Sequence, residues 1–153
     1  MTTLDSRLKE KNLTLALAES CTGGKLASLI TAIPGCSSYF KGGIVCYSNE
    51  IKQRILEVDS SLLTKYGAVS QQVVEAMAAG ACRIFNVDCV IAISGIAGPG
   101  GGTPEKPVGT VWIAVSYKGN VHSQKYHFSQ NRENNILMAC NNGIRMLLEM
   151  ITN

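Results

Sequence analysis

The 153-residue chain has no C-x-x-C pair, no run of lysines and arginines, and no histidine with an aspartate close by in sequence. Each absence removes a class of protein. Six cysteines at positions 21, 36, 46, 82, 89 and 140 lie mostly inside apolar runs, so free buried thiols are expected rather than disulfides or zinc ligands. The formal charge is only +3 and the basic residues are scattered, which leaves no track for a nucleic-acid backbone. The amino-terminal MTTLDSRLKEK lacks the apolar core of a signal segment, and no apolar stretch reaches the ~18 residues a membrane span needs. A soluble, cytoplasmic protein with no membrane partner is expected. No His/Cys/Asp cluster has metal-ligand spacing, so no metal or other cofactor is expected. The phosphate-loop order G-x-x-x-x-G-K-[ST] is missing, and G-x-G-x-x-G fails because Thr103 stands where the third glycine would be.

What is present is 46% apolar and 16% charged, with fifteen glycines: enough to bury one core and to build several tight loops. Residues 3–11 can form a short polar helix. An apolar run of strand length, 13–18, ends abruptly at Glu19-Ser20-Cys21-Thr22-Gly23-Gly24. Leu26, Leu29, Ile30 and Ile33 then recur at helical spacing until Pro34-Gly35. A second strand, 43–47, runs into Ser48-Asn49, a capping pair for a helix carrying Ile51, Ile55 and Leu56. A third helix follows Ser70. The strand 89–93 enters the most glycine-dense loop, Ser94 to Pro104. Strands 109–117 and 121–128 flank Lys118-Gly119-Asn120, which has hairpin-turn chemistry, and the last helix starts near Asn131-Arg132. These elements predict one three-layer α/β/α domain over residues 1–153, with a mixed β-sheet because of the hairpin.

An apolar strand that delivers Ser20 to a glycine turn and then a helix puts a hydroxyl beside unpaired backbone N–H groups, which can stabilise an oxyanion. Ser20 or Thr22 can equally serve as a simple helix cap. A nucleophilic serine needs a base. His122 and His127 lie on one hairpin strand with opposite side-chain parity, so a Ser-His-Asp triad is disfavoured and lysine becomes the candidate. Lys52 has Ile55 and Leu56 three and four residues on, which predicts a stem along the apolar side of its helix and a lowered pKa, or else a lysine that snorkels to water. Tyr47, five residues earlier, can relay a proton, donate to an oxyanion or simply pack. Cys21 is a rival nucleophile, and strand parity lets only one of the two neighbours face a site. In the long loop, glycines let backbone amides approach a ligand, and Ser94 and Thr103 add hydroxyl donors. Arg132 at a helix start suits a phosphate or carboxylate.

Glu19-Ser20-Cys21-Thr22-Gly23-Gly24, Tyr47-Ser48-Asn49-Glu50-Ile51-Lys52 and Ser94-Gly95-Ile96-Ala97-Gly98-Pro99-Gly100-Gly101 to Pro107-Val108-Gly109-Thr110-Val111, in this order and spacing, closely resemble the competence/damage-inducible protein A C-terminal family. The resemblance implies an α/β/α domain that hydrolyses the carboxamide of nicotinamide mononucleotide to nicotinic acid mononucleotide and ammonia, in pyridine-nucleotide recycling. It aligns Ser20 as nucleophile, with Tyr47 and Lys52 on the matching tyrosine and lysine. The expected substrate-binding set is Thr22, Gly23, Gly24, Ser94, Gly95, Gly98, Gly100, Gly101, Thr103 and Arg132, and a homo-oligomer is the family-level expectation. The familiar Gly-Asp-Arg before the last helix appears as Gln130-Asn131-Arg132, which leaves a pyridine-nucleotide-binding relative without turnover as the alternative. The larger amino-terminal domain of two-domain relatives, with any pyrophosphatase activity, is not expected.

Overall fold

A strand at the centre of a sheet covered on both faces shows no alternation of polar and apolar residues. Leu15–Glu19 (β1) is such a strand, buried at all five positions. In the computed structural model, which describes residues 3–153, it pairs in parallel with Phe40–Val45 (β2) on one side and Cys89–Gly95 (β3) on the other. Thr110–Tyr117 (β4) and Asn120–His127 (β5) continue the sheet antiparallel, giving the order β2-β1-β3-β4-β5. The hairpin turns on Lys118 and Gly119, both at positive φ, so β5 begins at Asn120 rather than at the expected Val121.

Among the described residues six α-helices cover the sheet: Leu4–Glu10 (α1), Lys25–Thr31 (α2), Asn49–Arg54 (α3), Ser60–Tyr66 (α4), Gln71–Phe85 (α5) and Arg132–Thr152 (α6). Strand parity divides the core. Leu15, Leu17, Ile91, Ile93, Ile113 and Val115 pack with the inner residues of α1, α2 and α6. Ala16, Ala18, Val90, Ala92 and Ala114 point the other way, toward Val73, Val74, Met77 and Ala81 of α5. Small residues on that face let α5 come close. At Gly80 a Cβ would lie 2.2 Å from the Leu56 carbonyl oxygen, so only glycine lets α5 seat against the chain that leaves α3. This is the three-layer α/β/α domain with a mixed sheet that the sequence predicts.

The sequence reading differs from the structure in further places. Helix α4 was not anticipated: it is seven residues long and starts on Asp59, whose side chain accepts from the Ser61 N–H. Strand β2 runs from Phe40 and ends at Val45, two residues before Tyr47, and alternates half-buried with exposed positions as an edge strand does. Helix α3 ends at Arg54, so Ile55 and Leu56 lie just beyond it; Leu56 is buried as expected, whereas Ile55 is exposed.

Candidate active site

Because β2, β1 and β3 are parallel, the turns after them meet at one edge of the sheet, where open α/β sheets form their crevices. A cavity of about 270 Å³ opens there. Its wall takes Ser20 and Cys21 from the turn after β1, Tyr47, Asn49 and Lys52 from the β2–α3 junction, and Ala68 and Val69 from the α4–α5 connection. Ser94, Gly95, Gly98, Gly100 and Gly101 from the end of β3 and its loop, with Arg132 of α6, complete it.

Ser20 and Lys52 meet at its base. Lys52 is 1% exposed, and its Nζ lies 2.9 Å from Ser20 Oγ, 2.8 Å from the Cys46 carbonyl oxygen and 3.4 Å from that of Tyr47. All three contacts are neutral oxygens, and among the described residues no carboxylate forms a salt bridge with this amine. Burial therefore pushes the Lys52 pKa below the ordinary lysine value, because the charged form loses hydration without gaining an anion. The sequence expectation of a lysine lying along the apolar side of its helix holds, and the snorkelling alternative does not.

The turn that carries Ser20 is held from below. Glu19, buried on the opposite face of β1, accepts from the backbone N–H groups of Gly24 (3.1 Å), Leu26 (3.1 Å) and Ala27 (2.8 Å). A strand residue thus caps α2. The N-cap of that helix is Gly24, with no side-chain cap bond of its own, so neither Ser20 nor Thr22 fills that role. Gly23 and Gly24 have positive φ, and their N–H groups bond to the Ser20 carbonyl and to Glu19. Both belong to the turn rather than to the cavity wall, contrary to their expected ligand contact. The Cys21 and Thr22 N–H groups have no acceptor among the described residues. The Thr22 hydroxyl is buried without a partner, and the residue faces a separate depression beside Lys25, Arg132, Glu133 and Ile136.

Cys21 shows what parity does. Its side chain belongs to the core cluster shared with α2 and α6, although the residue also borders the cavity. Burial pushes its thiol up to about 12, so at neutral pH it is a protonated apolar group and a poor nucleophile.

At the cavity mouth, Arg132 donates to the Gly98 carbonyl at 2.7 Å and contacts the Tyr47 hydroxyl at 3.3 Å. Tyr47 is 60% exposed, and its phenol meets Arg132 at the rim. Among the described residues its bond to the serine-lysine pair runs through its backbone carbonyl. Asn131 caps α6, accepting from the Asn134 N–H at 2.9 Å; asparagine serves an N-cap as well as aspartate, so the Gln130-Asn131 departure keeps the helix start intact. Sequence reasoning missed Asn135, buried on the next turn, whose amide donates to the Ala97 and Gln130 carbonyls and ties the glycine loop to α6.

Both hydroxyls that the sequence offers as ligand donors have partners within the protein. Ser94 Oγ donates to the Ala68 carbonyl at 2.8 Å. Thr103 is exposed, lies off the cavity wall, and its hydroxyl accepts from the Lys106 N–H at 3.0 Å. By contrast, the N–H groups of Ala97, Gly98, Gly100 and Gly101 have no acceptor among the described residues, as a ligand-facing glycine loop requires. His122 and His127 lie on the exposed strand β5 and off the cavity wall, His127 with its Nε2 3.1 Å from the Val108 carbonyl oxygen. Among the described residues, no three His, Cys, Asp or Glu side chains group as a metal site, and no helix is long and apolar enough to cross a membrane.

The fold and this crevice define an α/β/α domain with a buried serine-lysine pair at the carboxyl ends of its parallel strands. The chain belongs to the CinA C-terminal domain family, whose model matches residues 1–151. It is 49% identical over 137 residues to a CinA-like protein of Cytophaga hutchinsonii, covering 90% of this chain and 33% of that protein. A CinA-like protein of Thermotoga neapolitana is 54% identical over 125 residues, 82% of this chain and 30% of its own length. The chain thus spans about a third of the curated relatives it matches. Solved structures match nearly end to end. A competence/damage-inducible protein from Agrobacterium tumefaciens superposes with a TM-score of 0.94 at 36% identity, covering 98% of this chain and 92% of that one. A competence-damaged protein superfamily member from Escherichia coli gives 0.91 at 36%, covering 97% and 90%.

Proposed function

We propose that this chain is an amidohydrolase that converts nicotinamide mononucleotide to nicotinic acid mononucleotide and ammonia through Ser20. One observation carries the chemistry: a desolvated lysine with no carboxylate partner, 2.9 Å from a serine hydroxyl. Neutral Lys52 takes the Ser20 proton as Oγ bonds to the carboxamide carbon. The oxyanion that forms is held by the unpaired N–H groups of Cys21 and Thr22. Lys52 returns its proton to the nitrogen, the C–N bond breaks, and ammonia leaves. Water then adds to the ester with Lys52 as base, the C–Oγ bond breaks, and Ser20 regains a proton as the carboxylate product departs. The choice of a nucleotide rests on the family resemblance together with the cavity's outer end, where Arg132 and the free amides from Ala97 to Gly101 suit a phosphate.

The test is ammonia release by the pure protein from nicotinamide mononucleotide, its riboside and free nicotinamide, with and without a chelator. The expected order is mononucleotide first, riboside well behind, free nicotinamide last, with no chelator effect. Thermal stabilisation by the mononucleotide without ammonia release would overturn this reading and leave a binding domain.

A further inference from the structure

Ser20 and Ser94 are neighbours across two parallel strands. The last registered pair of β1 and β3 is Glu19 with Ile93, each serine follows one member of that pair, and the Ser20 N–H donates to the Ile93 carbonyl at 3.0 Å. Alternation puts both side chains on the α5 face, the side of Ala18 and Ala92, and both line the same cavity. A hydroxyl has one proton and two lone pairs. The Ser94 proton is fixed on the Ala68 carbonyl, which has no other donor among the described residues, and no donor from those residues reaches Ser94 Oγ. Beside the nucleophile, therefore, stands a hydroxyl that offers the cavity lone pairs only.

We propose that Ser94 is a specificity-determining residue that accepts a hydrogen bond from the –NH₂ of the scissile carboxamide and so separates amide substrate from carboxylate product. This rests on the amidohydrolase reading above. A carboxamide nitrogen brings a proton to Ser94. After hydrolysis the same position holds a carboxylate oxygen, and two acceptors face each other without a proton between them. The contact that favours substrate disfavours product, so it lowers the Michaelis constant for the amide and speeds release of the acid. Rotating the hydroxyl toward the carboxylate would give up its bond to the Ala68 carbonyl, which has no other donor among the described residues.

Binding to Ser20→Ala protein tests this without turnover, using nicotinamide mononucleotide and nicotinic acid mononucleotide as a matched pair. The amide is expected to bind more tightly than the acid in this background. Adding Ser94→Ala should weaken the amide by about three- to tenfold, the range of one neutral hydrogen bond, and leave the acid unchanged or tighter. Ser94→Cys, close in volume and a weak acceptor, should act in the same direction, whereas Ser94→Thr, which keeps the hydroxyl, should retain the preference. Equal weakening of amide and acid in Ser94→Ala and Ser94→Cys proteins with unchanged melting temperature would overturn the proposal, as would an unchanged preference. Failure of the amidohydrolase reading looks different: wild-type protein would release no ammonia, while the binding comparison would still report whether Ser94 reads amide against acid.

Discussion

The two faces of the central sheet treat neighbouring residues in opposite ways. On the face packed by α1, α2 and α6, Glu19 and Cys21 are structural: the carboxylate caps a helix and the thiol fills apolar space. On the α5 face, one residue along, Ser20 meets the buried amine of Lys52, and Ser94 stands beside it. Glu19, Ser20 and Cys21 therefore hold alternating duties, and a single-residue register slip would exchange them. Polar groups on the first face are tied to backbone. Those on the second keep a free valence toward a cavity, and that difference separates scaffold from candidate chemistry.

The sharpest way to break the comparison is at Lys52. Lys52→Met should lower kcat by about a hundredfold to ten-thousandfold, the range for losing a general base. Its melting temperature should hold or rise, because an uncompensated buried amine disappears. The pH profile carries the sign. With the folded pKa lowered, Lys52 is charged and inactive as a base below it, so kcat/KM should climb with pH through a point below the ordinary lysine value. The same group costs stability fully below its folded pKa, and that cost fades as pH rises from there toward 10.5, where the unfolded chain also loses its proton. Lys52→Arg, which stays protonated, should erase the ascending limb; a limb that persists in that variant would assign the base elsewhere.

Arg132→Ala comes next, with kcat/KM for the mononucleotide expected to fall about tenfold to a hundredfold, mainly through KM, as loss of a charge-assisted contact of about 1.5–3 kcal/mol requires. The riboside is the control: an equal fall for both substrates would make Arg132 a support for the Gly98 carbonyl and Tyr47 rather than a phosphate ligand.

On the scaffold face, Glu19→Gln replaces an acceptor of three N–H groups by an amide with one acceptor end. Denaturant unfolding should show a loss of about 1–3 kcal/mol. An unchanged midpoint would remove Glu19 from the turn's support. Tyr47→Phe should have the smallest effect, within about threefold in kcat/KM, the range of a single modest hydrogen bond, since its exposed phenol reaches only Arg132 at 3.3 Å. A hundredfold loss there would restore the proton relay.

Much of this was legible in sequence because periodicity and turn chemistry are local. The apolar run into Glu19-Ser20, the cap at Ser48, the helix starts after Ser70 and near Asn131, and the Lys118-Gly119 turn all read correctly. Helix α4 escaped because two adjacent leucines in seven residues show no period. The strand order is set by pairings far apart in the chain, which no local pattern encodes. Among site residues, Lys52 was legible from the apolar neighbour at Leu56, whereas the direction of the Ser94 hydroxyl depends on the Ala68 carbonyl, 26 residues away. Thr103, Gly23 and Gly24 share a composition with ligand-binding loops, yet their polar groups close turns.

The central claim is that Ser20 and not its neighbour does the chemistry. Ammonia release from nicotinamide mononucleotide should be measured side by side for wild-type, Ser20→Ala and Cys21→Ala proteins, each first shown to melt cooperatively. The account predicts loss of release by on the order of a thousandfold or more in Ser20→Ala, and retention within a few-fold in Cys21→Ala, whose buried thiol contributes packing. Full activity in Ser20→Ala with loss in Cys21→Ala would contradict it.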